Sequence, residues 1–193
     1  MATVILLPDG DISNSPAWTL STGSDVYALL GDDDAANNPT FDGSQITATA
    51  VGKKCIVRFQ DKVGDINPVP ASIDSVQAII KADIHARSEN YALGMEIGTE
   101  AAGPGAIPNW TEQVIADTSS KFWNTHYYTA RTTSSDGGSA WTVADCNNLT
   151  MAIHVDTISG NTLRVTYAYF LVTFTEAGAV AAEDNATFFG ANF

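Results

Sequence analysis

The run from Leu163 to Thr175, LRVTYAYFLVTFT, is the longest apolar, β-prone stretch of the chain, and any fold has to bury most of it. Leu163, Val165 and Tyr167 alternate with Arg164 and Thr166, the period of two of a strand with one dry and one wet face. From Ala168 to Val172 the alternation stops, because Ala168, Tyr169, Phe170, Leu171 and Val172 are all apolar or aromatic. Either both faces are buried there or a bulge shifts the register. The preferred reading is a central strand buried on both faces around Tyr169 to Val172. Just upstream, LTMAIHVD (Leu149 to Asp156) and the linking TISGN supply a partner strand and turn residues, so a C-terminal hairpin is expected.

Further strand patterns recur along the chain. Between Ser75 and Arg87, Val76, Ala78, Ile80, Ala82, Ile84 and Ala86 share one face, while Gln77, Ile79, Lys81, Asp83, His85 and Arg87 share the other. The following YALGMEI repeats Tyr91, Leu93, Met95 and Ile97 at period two, which predicts a second hairpin. SQITATA and CIVRFQ read as two short strands around the turn VGKK, and TEQVIADT and FWNTHYYTART as two more. In WTVADCNNL, Trp141, Asp145 and Leu149 fall four apart, which suits one helical turn or an irregular crossover. The expected fold is therefore an all-β antiparallel sandwich over residues 1–175. An extended strap over about residues 9–38, anchored by Ile12, Trp18, Tyr27, Leu29 and Leu30, is expected to cross a sheet edge. Residues 176–193 form a separate tail ending in Phe188, Phe189 and Phe193. Full burial of each such ring is worth ~1.5–3 kcal/mol, so the tail is expected to dock on a neighbouring subunit or back on its own domain.

A length of 193 residues, 45% of them apolar, allows one respectable core and one domain. The balance of 22 acidic against 9 basic side chains, formally -13, disfavours nucleic acid as a partner. No apolar run approaches the ~20 residues of a membrane-spanning helix, so no membrane partner is expected. MATVILLPDG lacks the basic region and cleavage site of a secretory signal and reads as a short strand ending in a turn. Cys55 and Cys146, without CxxC spacing, read as buried free thiols rather than a disulfide.

Chemistry-bearing patterns are sparse. His85, His126 and His154 have no HxxxH or HxH spacing, and Asp32, Asp33 and Asp34 lack the alternating ligands, glycine and glutamate of an EF-hand, so no metal site is expected. Glu89, Glu96, Glu100 and Glu112 offer carboxylates, but nothing in the sequence pairs two of them at the ~5–9 Å of glycoside hydrolysis. GxSxG, GxxxxGK[ST] and GxGxxG motifs are absent. No catalytic residue and no cofactor site is assigned, and the chain is not expected to be an enzyme. Trp18, Trp110, Trp123 and Trp141 with Tyr127 and Tyr128 offer a stacking platform for a sugar ring, against a preferred reading as core and loop anchors. Trp110, in the Gly/Pro-rich loop TEAAGPGAIPNW, is the first of them to inspect.

PDGDIS with Trp18, STGSDVYALLGDD, AWTVADCNNLTMAIHV and NTLRVTYAYFLVTFT together resemble β-sandwich modules of tailed-bacteriophage virion proteins, both capsid cement or decoration proteins and tail or fibre modules. The resemblance covers most of the chain up to about Thr175 and implies a jelly-roll-like fold and no reaction. It also implies that arms extend from a compact sandwich to adjacent subunits. The resulting expectation is a trimeric cement protein on the capsid exterior, bound to the major capsid protein through Phe188, Phe189, Phe193 and Trp110. The alternatives are a tail or fibre module that binds host carbohydrate and, less favoured, a glycan-cleaving enzyme of jelly-roll fold.

Overall fold

The computed structural model describes residues 1–15, 17–31, 44–84, 91–99, 111–117, 124–134, 138–158 and 162–178. Among them, eleven strands form two antiparallel sheets. The first contains, in spatial order, β3 (Thr19–Leu20), β4 (Ile46–Ala48), β11 (Leu163–Thr175), β6 (Ser72–Ile84) and β9 (Asn124–Tyr127), with β1 (Ala2–Leu6) also paired to β11. The second contains β2 (Pro8–Asn14), β5 (Lys54–Phe59), β10 (Leu149–Ile158), β7 (Tyr91–Thr99) and β8 (Thr111–Asp117). The two orders match position by position, so that β2 and β3, β4 and β5, β6 and β7, β8 and β9, and β10 and β11 are split between opposite sheets. This is the wrapping of a jelly-roll-like sandwich.

That wrapping corrects both expected hairpins. β10 pairs with β5 and β7, and β11 pairs with β6 and with β1 and β4, so the two never meet as a ladder. β6 and β7 are divided in the same way. Each of these strands has one strongly apolar face. Turning a corner between sheets brings two such faces into one core, whereas a hairpin would set them side by side with neither covering the other.

The core lies between the sheets. Val76, Ala78, Ile80 and Ala82 of β6 point into it with Leu93, Met95 and Ile97 of β7 and Met151, Ile153 and Val155 of β10. Phe59 of β5 and Phe170 of β11 meet there edge to face, with ring centroids 4.5 Å apart and planes at 67°. Cys55 and Cys146 are buried and free, and the Cys55 thiol lies 3.8 Å from the Ile153 carbonyl oxygen. Burial pushes both thiols up, Cys146 to about 12 with the Asp145 carboxylate adding to the effect, so neither forms a reactive thiolate near neutral pH.

β11 does not have two buried faces. Its register with β6 runs from Val165 opposite Ala82 to Tyr167 opposite Lys81, leaving Thr166 in a bulge. Before the bulge Leu163 and Val165 face the core; after it Ala168, Phe170, Val172 and Phe174 do. Tyr167, Tyr169 and Leu171 therefore face outward, and Tyr167 is out of phase with Leu163. The Thr166 hydroxyl donates to the Ser44 carbonyl at 2.8 Å, tying the bulge to the chain entering β4.

Residues 9–31 of the stretch read as a strap form most of β2, all of β3 and a short helix, α1 (Val26–Leu30), with Trp18, Leu29 and Leu30 buried. α1 has no side-chain cap of its own. Asp11 of β2 accepts from the Val26 and Tyr27 backbone N–H groups, both at 2.7 Å, and supplies the missing N-terminal partner from a distance. The WTVADCNNL stretch contains the single helical turn α2 (Val143–Cys146), closed by a capping box in which Thr142 Oγ1 accepts from Asp145 N and Asp145 Oδ2 accepts from Thr142 N.

Candidate functional site: a tyrosine face on the outer surface of one sheet

The outward residues of β11, β6 and β9 fall into rows. Tyr169, Ile79 and Tyr127 are cross-strand neighbours in one row, and Tyr167, Lys81 and Thr125 in the next. With strands ~4.8 Å apart, Tyr169 and Tyr127 stand about 10 Å apart on either side of Ile79. Ile79 (2% exposed) and Tyr167 (3%) form a buried floor, a small apolar cluster separate from the core, against which Leu7, Tyr169 and Leu171 pack half-buried. Tyr127 rises from the face at 59% exposure. Tyr167 and Tyr169 stack with centroids 5.7 Å apart and planes at 28°, although they are neighbours along one strand. The Tyr167 hydroxyl lies 3.3 Å from Thr125 Oγ1, and the Lys81 ammonium sits 5.6 Å from the centre of the Tyr167 ring. Gln77 flanks the rows and donates to the Tyr128 carbonyl at 3.0 Å. The result is a broad aromatic surface edged by an ammonium, a hydroxyl and an amide, which can take up an amphipathic ligand with one apolar face.

Burial raises the phenol of Tyr167, opposed in part by its hydrogen bond to Thr125, and raises that of Tyr169, with Tyr167 and Tyr127 adding repulsion. Folding thus favours the neutral phenols. Their contribution to stability is fully present below the unfolded value of about 10 and is lost as pH rises through the higher folded values. In an alkaline titration followed by tyrosinate absorbance, Tyr167 and Tyr169 are expected to be two late-ionising phenols, with thermal stability falling in step. Tyr167→Phe should remove one of them. Ionisation of Tyr167 and Tyr169 near the ordinary value would contradict the clustering.

The outer face of the other sheet has a different character. His154 of β10 lies over Gly94 of β7, its register partner, where any larger residue would collide with the imidazole. Its Nε2 is 2.9 Å from Asp156 Oδ1 and its Nδ1 3.6 Å from Glu96 Oε1, while Lys54 Nζ is 3.0 Å from Glu96 Oε2. These groups line an open depression of about 340 Å³. Glu96, one of the carboxylates singled out in the sequence, is thus held between Lys54 and His154. Glu89 and Glu100 lie outside the described residues, as does the side chain of Glu112. Among the described residues no group of three or more His, Cys, Asp and Glu could hold a metal ion. His126 is a core residue whose Nε2 shares a 2.7 Å hydrogen bond with the Tyr91 hydroxyl across the two sheets.

The structure therefore separates the aromatics that the sequence grouped. Trp18, Trp141 and Tyr128 are buried in the core, and only Tyr127 of the described set is on the surface. Trp110, Trp123, Phe188, Phe189 and Phe193 lie outside the described residues. Tyr167 and Tyr169 are absent from the expected platform because period-two counting places Tyr167 in the core. The signal for them was the break in alternation after Tyr167, once read as a bulge.

No protein-family model and no curated protein matches the chain. Among solved structures it is similar to the CBM36-1 domain of a multidomain xylanase from the hindgut metagenome of Trinervitermes trinervoides, at 11% identity and a TM-score of 0.40, over 91% of this chain and 100% of that one. It is also similar to the xylan-binding module CBM15, at 13% identity and a TM-score of 0.38, with the same two coverages.

Proposed function

We propose that this protein is a carbohydrate-binding β-sandwich that holds a glycan against the face formed by Tyr127, Tyr169 and their floor. The observation that carries this reading is the bulge at Thr166, which turns Tyr167 and Tyr169 out of the core and places Tyr169 in register with Tyr127 through Ile79. A pyranose ring has one face of C–H groups and a rim of hydroxyls. The first suits tyrosine rings, and the second suits the Thr125 hydroxyl, the Gln77 amide and the phenol oxygens around them. Two aromatic positions about 10 Å apart suit successive contacts along an extended polysaccharide rather than a single enclosed sugar. The setting suggested by the sequence is a bacteriophage tail or fibre module that recognises host-surface polysaccharide.

Glycan-array binding followed by affinity electrophoresis tests the reading. Tyr127→Ala is expected to weaken retention by about 2 kcal/mol, or roughly 30-fold, as loss of a central aromatic anchor does. Because Tyr127 is well exposed, thermal stability should stay within about 0.5 kcal/mol of the parent. Failure of the parent to retain any glycan, or equal retention by Tyr127→Ala, rejects the proposal. Retention lost in Trp110→Ala but kept in Tyr127→Ala moves the site to the Thr99–Trp110 loop. The capsid-cement reading rests on the virion resemblance and on Phe188, Phe189 and Phe193. Imaging of intact virions separates the two, since density over the shell exterior supports cement and density at the tail supports a fibre module.

A further inference from the structure

We infer that the glycan taken by the tyrosine face is anionic, carrying a carboxylate or sulfate that pairs with Lys81; this rests on the carbohydrate-binding reading above. Lys81 is the charged member of the two aromatic rows, between Tyr167 and Thr125 in register. Its ammonium lies over the Tyr167 ring, and among the described residues no carboxylate pairs with it. An ammonium has three donor hydrogens, and a ring face occupies only one side of it. The remaining donors are placed about 7 Å, two residues along a strand, from the row of Tyr169 and Tyr127. The charged substituent of a sugar stacked on those rings falls within reach of them.

The chain's overall charge strengthens the case. At -13 the protein repels polyanions at long range, so any preference it shows for an acidic over a neutral glycan has to come from a local cation. Non-specific attraction, the usual source of false positives with charged polysaccharides, acts here with the opposite sign.

Binding of three probes to the full chain tests the inference: a neutral galactan fragment, an oligogalacturonate and a sulfated galactan fragment. The parent is expected to bind at least one charged probe about tenfold more tightly than the neutral one, the effect of one charge-assisted hydrogen bond. Lys81→Gln should bring the two within about twofold, and Lys81→Arg should keep the preference. The ranking of oligogalacturonate against sulfated galactan tells whether the anion is a carboxylate or a sulfate. Equal binding of neutral and charged probes, or a preference unchanged in Lys81→Gln, overturns the inference. If neutral binding is then still lost in Tyr127→Ala, the tyrosine face stands and only the anion assignment falls. If no probe binds the parent, on this set or on the array, both fall together.

Discussion

Deleting Thr166 is expected to abolish the native sandwich. β11 lies between β6 on one side and β1 and β4 on the other, and its two halves face the core in opposite phase because Thr166 is the extra residue between them. Without it, one half has to invert. If the longer half inverts, Phe170, Val172 and Phe174 leave the core and Tyr167, Tyr169 and Leu171 enter it. Each large apolar side chain so exposed forfeits ~1.5–3 kcal/mol, and together they approach the ~5–15 kcal/mol that holds a whole domain folded. Thr166→Ala is the control. It keeps the extra residue and loses only the hydroxyl bond to the Ser44 carbonyl, a loss of about 1 kcal/mol. Far-ultraviolet circular dichroism and urea unfolding of the two variants decide the matter. A deletion variant as stable as Thr166→Ala would mean that β11 does not need the bulge.

The same bulge marks how far the sequence could be read. The strands were legible because one-face patterns such as Val76, Ala78, Ile80 and Ala82 reflect a local rule, that alternate residues of a strand share a side. The single turn of α2 was legible only in part, since the spacing of Trp141, Asp145 and Leu149 left a helical turn or a crossover open, and the local capping pair Thr142 and Asp145 makes it a turn. What lay beyond reach was set by distant partners. α1 takes its N-terminal partner from Asp11, and no local pattern records that. Both hairpin expectations failed because short spacing between apolar strands fits a corner as well as a tight turn, and only the competition for strand edges across the whole molecule selects the corner. The tyrosine face was missed for a combined reason. Its members come from β11, β6 and β9, and one of those strands changes phase midway, so neither composition nor periodicity groups Tyr127 with Tyr167 and Tyr169. Ile79 was the visible clue, an isoleucine on the face otherwise given to Gln77 and Lys81, and the tyrosines that cover it explain its burial.

Phe170→Ala is expected to destabilise the protein by ~3–5 kcal/mol, the usual range for truncating a fully buried phenylalanine. Phe170 is completely buried and lies edge to face against Phe59 of the opposite sheet, so its removal leaves a cavity and strips one sheet of an aromatic partner on the other. Yet Tyr169, its neighbour in the chain, belongs to the outer cluster, and the strand between β6 and β1 holds its backbone in place. Urea unfolding should therefore register a large loss, while glycan affinity, measured where the variant is still folded, stays close to that of the parent. Tyr127→Ala should do the reverse. Adjacent residues of a single strand would then answer to different assays, one to stability and one to ligand. If Phe170→Ala instead weakened binding in proportion to its loss of stability, the two faces of the sheet would be coupled through the backbone, and the tyrosines would owe their placement to the core beneath them as well as to the bulge at Thr166.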